Sequence, residues 1–150
     1  MKKIIIIGSD SKFGMERSYK SALEKCNFEV EIVDFKNLCN SFIPIKFLKR
    51  VGLYIDILPS TIRGNHSISK KVFTERPHAI IVFTSVLIYP GTIEYFKIFC
   101  NNVSFYWPDS ITNMSSAVFS NLKHYHNIYT HSEKNVDIFL SNGLKSKWLP

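Results

Sequence analysis

The stretch from Ile4 to Gly14 constrains the fold of this chain more than any other. Four consecutive isoleucines lead into Gly8, a loop with one carboxylate at Asp10, and the polar-apolar rhythm of a helix from Met15. This is how an open parallel α/β sheet begins, and ligands of such sheets bind at the carboxyl ends of the strands. Because a glycine can adopt backbone angles that other residues avoid, we expect a sharp turn and a close approach to a ligand at Gly8.

Apolar segments of strand length alternate with segments of helical period along the chain. The predicted strands are Ile4–Ile7, Phe28–Asp34, His78–Phe83, Val103–Trp107, Asn127–Thr130 and Lys147–Leu149. The predicted helices are Met15–Cys26, two within residues 41–73 of which the later is Ser67–Phe73, then Pro90–Phe99, Ser115–Lys123 and a helix capped by Ser132 that runs through Leu140. This alternation predicts an α/β fold with a doubly wound, mainly parallel, Rossmann-like sheet of about six strands, formed as a single domain by residues 1–150.

The formal net charge of +7 favours an acidic partner, such as an anionic membrane surface, a phosphorylated substrate or nucleic acid. Nucleic acid is not expected, because the basic residues are scattered whereas a groove binder concentrates them. Residues 42–58 mix large apolar side chains with three basic ones, Lys46, Lys49 and Arg50. Such a helix can rest on an anionic membrane or pack on the sheet, and we favour core packing.

Other features of the sequence predict a cytoplasmic protein. The isoleucine run ends too early for a secretory signal, and no later segment approaches a membrane-spanning length. Three widely spaced cysteines, Cys26, Cys39 and Cys100, suit reduced thiols. Peripheral contact with the inner face of a membrane is compatible with this location.

The loops that follow strands one, three, four and five should lie along one edge of the sheet, because βαβ crossovers are right-handed. Each loop carries polar or aromatic side chains. The candidate substrate-binding residues are Gly8, Ser9, Gly14, Thr84, Ser85, Trp107, Ser132 and Glu133. Ser132 and Glu133 also suit an ordinary helix start, whose N-terminus can itself hold an anionic or hydroxyl-rich ligand. The functional prediction depends on this convergence rather than on any single motif.

A dinucleotide site is one alternative for this edge. Asp34 ends the second strand at a distance from Gly8 that suits contact with a ribose hydroxyl. Asp10, however, stands where the dinucleotide fingerprint has its second glycine, and its charge would oppose a pyrophosphate. We therefore favour Asp34 as a residue of the turn at the end of the strand.

Asp10 and Asp109 are the candidate catalytic residues. A carboxylate beside a bound sugar hydroxyl can accept its proton while the oxygen attacks an electrophilic carbon. Each also has a structural alternative, since Asp10 can cap the first helix and an Asp after a proline commonly forms a turn. No metal is expected, because no cysteine or carboxylate completes a ligand set at fixed spacing with His124, His126 and His131.

Five short motifs follow one another at strand ends and helix starts. They are Gly8-Ser9 with Gly14, Pro90-x-Thr92-Ile93-Glu94, Tyr106-x-Pro108-Asp109, Tyr129-Thr130-x-Ser132-Glu133 and Leu149-Pro150. Their order resembles the N-terminal half of two-domain glycosyltransferases of the GT-B architecture, most closely the CgeB-like group. The chain departs from that group at Ser110, where a second acid often follows the Pro-Asp pair.

The resemblance implies a function. A complete enzyme of this kind transfers a sugar from a nucleotide-sugar donor to an acceptor, and this half would bind the acceptor, a sugar or glycan such as one in bacterial surface polysaccharide synthesis. The family's donor site lies mainly on a C-terminal domain, which is absent from this chain. The expected partner is therefore a missing donor-binding domain or subunit, with no cofactor in this domain and little turnover by the isolated chain. The alternative is a stand-alone, non-catalytic module that binds a nucleotide, a glycan or a protein.

Overall fold

All neighbouring strands in the sheet are parallel. The strands are Lys2–Gly8 (β1), Phe28–Asp34 (β2), Ala79–Val82 (β3), Val103–Trp107 (β4), Asn127–Thr130 (β5) and Ser146–Trp148 (β6). They lie in the order β2-β1-β3-β4-β5-β6, which confirms the predicted doubly wound α/β fold. The computed structural model describes residues 1–41, 59–83 and 87–149.

Helices connect the strands. They are Met15–Lys25 (α1), Phe35–Ser41 (α2), Pro59–Glu75 (α3), Pro90–Phe99 (α4), Ser116–Asn121 (α5) and Glu133–Ser141 (α6), with 3-10 turns at Ile111–Asn113 and Leu122–His124. Helix α2 was not predicted, and α3 begins at Pro59 rather than at Ser67. The segment 42–58, predicted to pack on the core rather than on a membrane, lies outside the described residues.

The two faces of the sheet carry separate cores. Along β1, Ile5 and Ile7 face one side while Ile4 and Ile6 face the other, because successive side chains of a strand alternate. The first side packs on α2 through α6, and the second packs on α1. Burying each isoleucine contributes about 2 kcal/mol, and cover on both faces explains why β1 carries no polar residue in its centre.

The strand order reverses between β1 and β3. From β1 the chain moves outward to β2, whereas from β3 it moves the opposite way through β4 and β5 to β6. In doubly wound sheets, ligands bind beside the carboxyl ends of the two strands at such a reversal.

The described part of the chain has no helix that combines the length and the apolar character needed to cross a membrane. Its three cysteines carry free thiols, exposed at Cys26 and buried at Cys39 and Cys100. Burial raises the pKa of the Cys39 thiol to about 11.

Candidate functional site

Loop one, residues 9–14, leaves β1 at the point where the strand order reverses, and Glu16 fixes its shape. The Glu16 side chain is only 8% exposed, although it carries a carboxylate. Its Oε1 atom accepts a hydrogen bond from the Ser9 N–H at 2.7 Å. Because Glu16 is in the first turn of α1, the carboxylate reaches back from the helix into the loop. Glu16 is not among the residues predicted for the site.

The glycines of this loop make room for Glu16. A Cβ on Gly8 would lie 2.5 Å from Glu16 Oε1 and 2.8 Å from its Cγ, and a Cβ on Gly14 would lie 2.7 Å from Oε2. Gly8 does not adopt the left-handed backbone, so the expectation that it supplies unusual backbone angles is wrong. Both glycines permit close approach, but the group that approaches is a side chain of the same protein.

Asp10 lies beyond Gly8 with about half of its side chain exposed. Its Oδ1 accepts a hydrogen bond from Arg17 Nε at 2.9 Å, and its backbone N–H donates to Asp34 Oδ2 at 3.3 Å. Within the described residues, Oδ2 of Asp10 makes no hydrogen bond. One carboxylate oxygen is therefore held by a guanidinium, and the other is directed at no described partner.

Asp34 has the structural role that the sequence favoured. Its Oδ1 accepts from the Asn37 N–H at 2.9 Å, and its Oδ2 accepts from Asn37 Nδ2 at 2.8 Å. It thereby satisfies a donor at the start of α2, as an N-terminal cap does. These bonds occupy the carboxylate that a ribose would need.

Asp109 follows β4 and holds the turn after it. Its Oδ1 accepts from the Ser110 N–H at 2.6 Å, and its Oδ2 accepts from Asn113 Nδ2 at 2.8 Å. The bonds from Asn113 and Ser110, together with the nearby His131, lower the pKa of this carboxyl below its ordinary value. Both oxygens are thus engaged, and the acid is a weaker proton acceptor than a free aspartate.

Trp107 supports the same turn from within the core. The side chain is buried, and its ring stacks on Phe105. Its Nε1–H donates to the Ser110 carbonyl at 3.0 Å. Trp107 therefore positions loop four, residues 108–115, rather than presenting its ring at the edge.

Asn135 joins loop four to the end of β5. Its Nδ2 donates to the Asp109 carbonyl at 2.9 Å and to Thr130 Oγ1 at 3.3 Å, and the residue is 5% exposed. Its N–H is bonded to Oγ of Ser132, the predicted cap of α6. Glu133 is exposed in the first turn of that helix.

Two further buried asparagines fix the segment after β3. Asn65 on α3 donates to the Leu87 carbonyl at 3.2 Å and accepts from the Tyr89 N–H at 2.8 Å. Asn121 on α5 donates to the Ile88 carbonyl at 3.0 Å. The predicted binding residues Thr84 and Ser85 lie outside the described residues.

The carboxylates of Asp10 and Asp109 lie at the same edge but line different pockets. The α1 pocket has a volume of about 380 Å³ and is lined by Asp10, Arg17, Lys20, Ser21, Glu24, Glu31 and Ile32. The α6 pocket has a volume of about 410 Å³ and is lined by Asp109, Ser110, Ile111, Thr112, His131, Ser132, Lys134, Asn135 and Ile138. One strand, β3, separates β1 from β4. Since neighbouring strands lie about 4.8 Å apart, the two strand ends are about 10 Å apart.

Metal-binding side chains do not cluster in the ranges that the structure describes: no group of three or more His, Cys, Asp or Glu residues could hold an ion there. His124 is instead bonded to Glu94, and His126 to the backbone of Val103.

Comparison with known proteins identified no matching family model, no matching curated protein and no matching solved structure. The fold and the two pockets therefore carry the evidence on function.

Proposed function

We propose that this chain is the acceptor-binding half of a GT-B glycosyltransferase resembling the CgeB-like group, and that it acts in the cytoplasm. It would bind a sugar or glycan acceptor at the carboxyl edge of the sheet. A donor-binding domain or subunit would supply the nucleotide sugar, and no cofactor would be held by this half.

The chemistry of the α6 pocket is the observation that carries the proposal. Hydroxyl and amide groups of Ser110, Thr112 and Asn135 line it beside the apolar side chains of Ile111 and Ile138. A sugar ring has apolar C–H faces and a rim of hydroxyls, so it matches a pocket that offers both kinds of group. Small-molecule sites commonly combine an apolar surface with a few such polar groups.

Loop one supports the assignment to the acceptor side. Glu16 already fills the turn at the N-terminus of α1, where a nucleotide phosphate would otherwise be expected. Asp10 retains one oxygen without a described partner, so within the proposal it accepts a hydroxyl proton from an acceptor glycan long enough to extend from the α6 pocket to loop one. Asp109, with both oxygens bonded, would orient loop four.

Binding can be tested on the chain alone by NMR titration with a panel of neutral oligosaccharides and with UDP-glucose. An acceptor site predicts saccharide-induced shifts at the amides of Ser110, Thr112 and Ser132, which UDP-glucose does not cause. Thr112→Val should weaken binding, whereas Thr74→Val, on the exposed surface of α3, should not. The proposal fails if no saccharide moves these amides, or if Thr74→Val is as harmful as Thr112→Val.

Catalysis requires the chain together with its donor-binding half. Asp10→Asn should then lower kcat by about 100-fold or more, the usual contribution of a general base. Asp137→Asn, an exposed change on α6, should leave kcat unchanged. Equal turnover in the two variants would remove Asp10 from the mechanism.

One observation favours the second candidate, a non-catalytic binding module. Arg17 holds one oxygen of Asp10, and Asp109 is fully engaged in its turn, so neither carboxylate is wholly free. Such a module would bind saccharide with unchanged affinity in Asp10→Asn and would transfer no sugar with any donor half. Saccharide binding without transfer therefore separates the two functions.

A further inference from the structure

Glu16 is the one charged residue of the described ranges that is buried, with 8% of its surface exposed. Burying a carboxylate without compensation costs several kcal/mol. No basic side chain of the described ranges forms an ion pair with it, and its Oε1 is bonded to the Ser9 N–H. The favourable field comes from the backbone, because the N-terminus of α1 carries partial positive charge. The side chain therefore occupies a position suited to an anion.

In doubly wound sheets, the turn at this position commonly binds a ligand. The turn between β1 and α1 adjoins the point where the strand order reverses, and it is the usual place for a ligand's anionic group. A phosphate bound there would take its hydrogen bonds from loop N–H groups such as that of Ser9. Glu16 Oε1 already takes that bond, and Gly8 and Gly14 leave space that its carboxylate fills.

We propose that Glu16 replaces the anion of a ligand in loop one, so that the loop rejects phosphate and presents Asp10 to an uncharged, hydroxyl-bearing group. Two anions cannot share the Ser9 N–H, because like charges at such a short distance repel each other. The replacement stands on the geometry of loop one. The neutral character of the acceptor group rests in addition on the proposed function.

The test is to remove Glu16 and ask whether the loop acquires affinity for inorganic phosphate. In Glu16→Ala, phosphate should raise the melting temperature by about 2–4 °C relative to chloride at equal ionic strength. It should also shift the amide resonances of Ser9 and Gly14. The wild type and Asp137→Ala, an exposed change on α6 away from both pockets, should show neither effect.

A merely structural role for Glu16 would lower stability without creating phosphate binding. The proposal is overturned if phosphate stabilises the wild type as much as Glu16→Ala, or if folded Glu16→Ala gains no response. Should Glu16→Ala not fold, Glu16→Ser removes the carboxylate and most of the volume that fills the loop, and phosphate should then move the Ser9 and Gly14 amides in that variant and not in the wild type. An identical response in Glu16→Ser and the wild type would contradict the proposal. Because the readout is phosphate binding, its failure leaves saccharide binding at the α6 pocket untouched.

Discussion

Gly8 and Glu16 are coupled through space, and this coupling can be measured as a free energy. Gly8→Ala places a methyl group within 2.5 Å of Glu16 Oε1 and 2.8 Å of its Cγ, so the buried side chain must move. We expect a loss of about 1–3 kcal/mol in the free energy of unfolding, as for other overpacked sites. In a Glu16→Ala background the methyl group has room, and the double-mutant cycle should give a coupling of about 1–2 kcal/mol.

Gly91 provides the matched control for this cycle. It lies in the first turn of α4, and a Cβ there meets no atom within 4 Å. Gly91→Ala should therefore stabilise the protein by up to about 1 kcal/mol, since alanine favours the helix. Chemical denaturation of the wild type, the three variants of the cycle and this control measures both effects. Additive losses at Gly8 and Glu16 would mean that the two residues do not share the space.

His126 should make stability depend on pH. Its Nδ1 accepts a hydrogen bond from the Val103 N–H at 3.0 Å, which only the neutral ring can do. Burial lowers the pKa of His126, and the positive charge of Lys97 lowers it further. Glu94 raises this pKa and Lys145 lowers it, and the net effect is a pKa below the ordinary value. Because the unfolded chain then binds the proton more readily, stability is complete above about pH 6.5 and falls as the pH drops towards the folded-state value.

The variant His126→Asn isolates this contribution. Its side-chain oxygen can accept the same bond but does not titrate in this range. As the pH is lowered through this window, the free energy of unfolding of the wild type should fall by about 1 kcal/mol relative to that of His126→Asn. This is the usual contribution of one hydrogen bond. His66→Asn, an exposed change on α3, should leave the wild-type slope unchanged. Parallel curves for the wild type and His126→Asn would contradict the assignment.

At the scale of elements, Asn135 ties loop four to β5 and α6. Asn135→Asp keeps the shape but removes the donor that satisfies the Asp109 carbonyl, and it places a charge at a site that is 5% exposed. We expect a loss of about 1–3 kcal/mol in the free energy of unfolding. Asn101→Asp, at an exposed bend after α4, should cost less than about 0.5 kcal/mol. Thermal melts would show equal shifts for the two variants if Asn135 were only a surface group.

The strands were predictable and the links between their loops were not. The bounds of β2, β4 and β5 are as predicted, since a short run of apolar and β-branched residues between turns is a local signal. Helix α2 was missed because seven residues after Asp34 give too few turns for a clear period. Helix α3 contains Gly64, although a glycine usually weakens a helix. The glycine is required at this position because a Cβ there would overlap the Sγ of Cys39.

The candidate site shows the same division between local and distant information. The edge of the sheet followed from topology, so Asp10, Asp109 and Ser132 were expected there. The asparagine bonds join residues 22 to 33 positions apart, and no local pattern in the sequence marks such pairs. Glu16 was overlooked because an acid in the first turn of a helix is ordinary, and its burial depends on how loop one closes over it.

On the scale of the whole molecule, the two ends of the sheet differ in character. The carboxyl edge holds the α6 pocket and loops whose turns are fixed by hydrogen bonds. A network of salt bridges lies towards the opposite edge. Lys3 Nζ lies 2.8 Å from Glu75 Oε2 and 3.0 Å from Glu31 Oε2. Lys71 Nζ lies 2.6 Å from Glu31 Oε1. This network joins β1, β2 and α3, so part of the stability of the sheet is electrostatic and lies away from the candidate site.

Glu75 is the most informative member of this network to remove. It pairs with both Lys3 and Lys71, and its side chain is 23% exposed, so Glu75→Gln should lower the free energy of unfolding by about 1–2 kcal/mol, between exposed and buried ion pairs. Glu24→Gln breaks only the exposed pair with Lys20 at 3.6 Å and should cost less than about 0.5 kcal/mol. Urea denaturation at low and high salt provides the measurement, and the difference between the two variants should shrink with added salt as screening weakens the network. Equal losses for the two substitutions, or a difference that salt does not change, would show that this end of the sheet is held by packing alone.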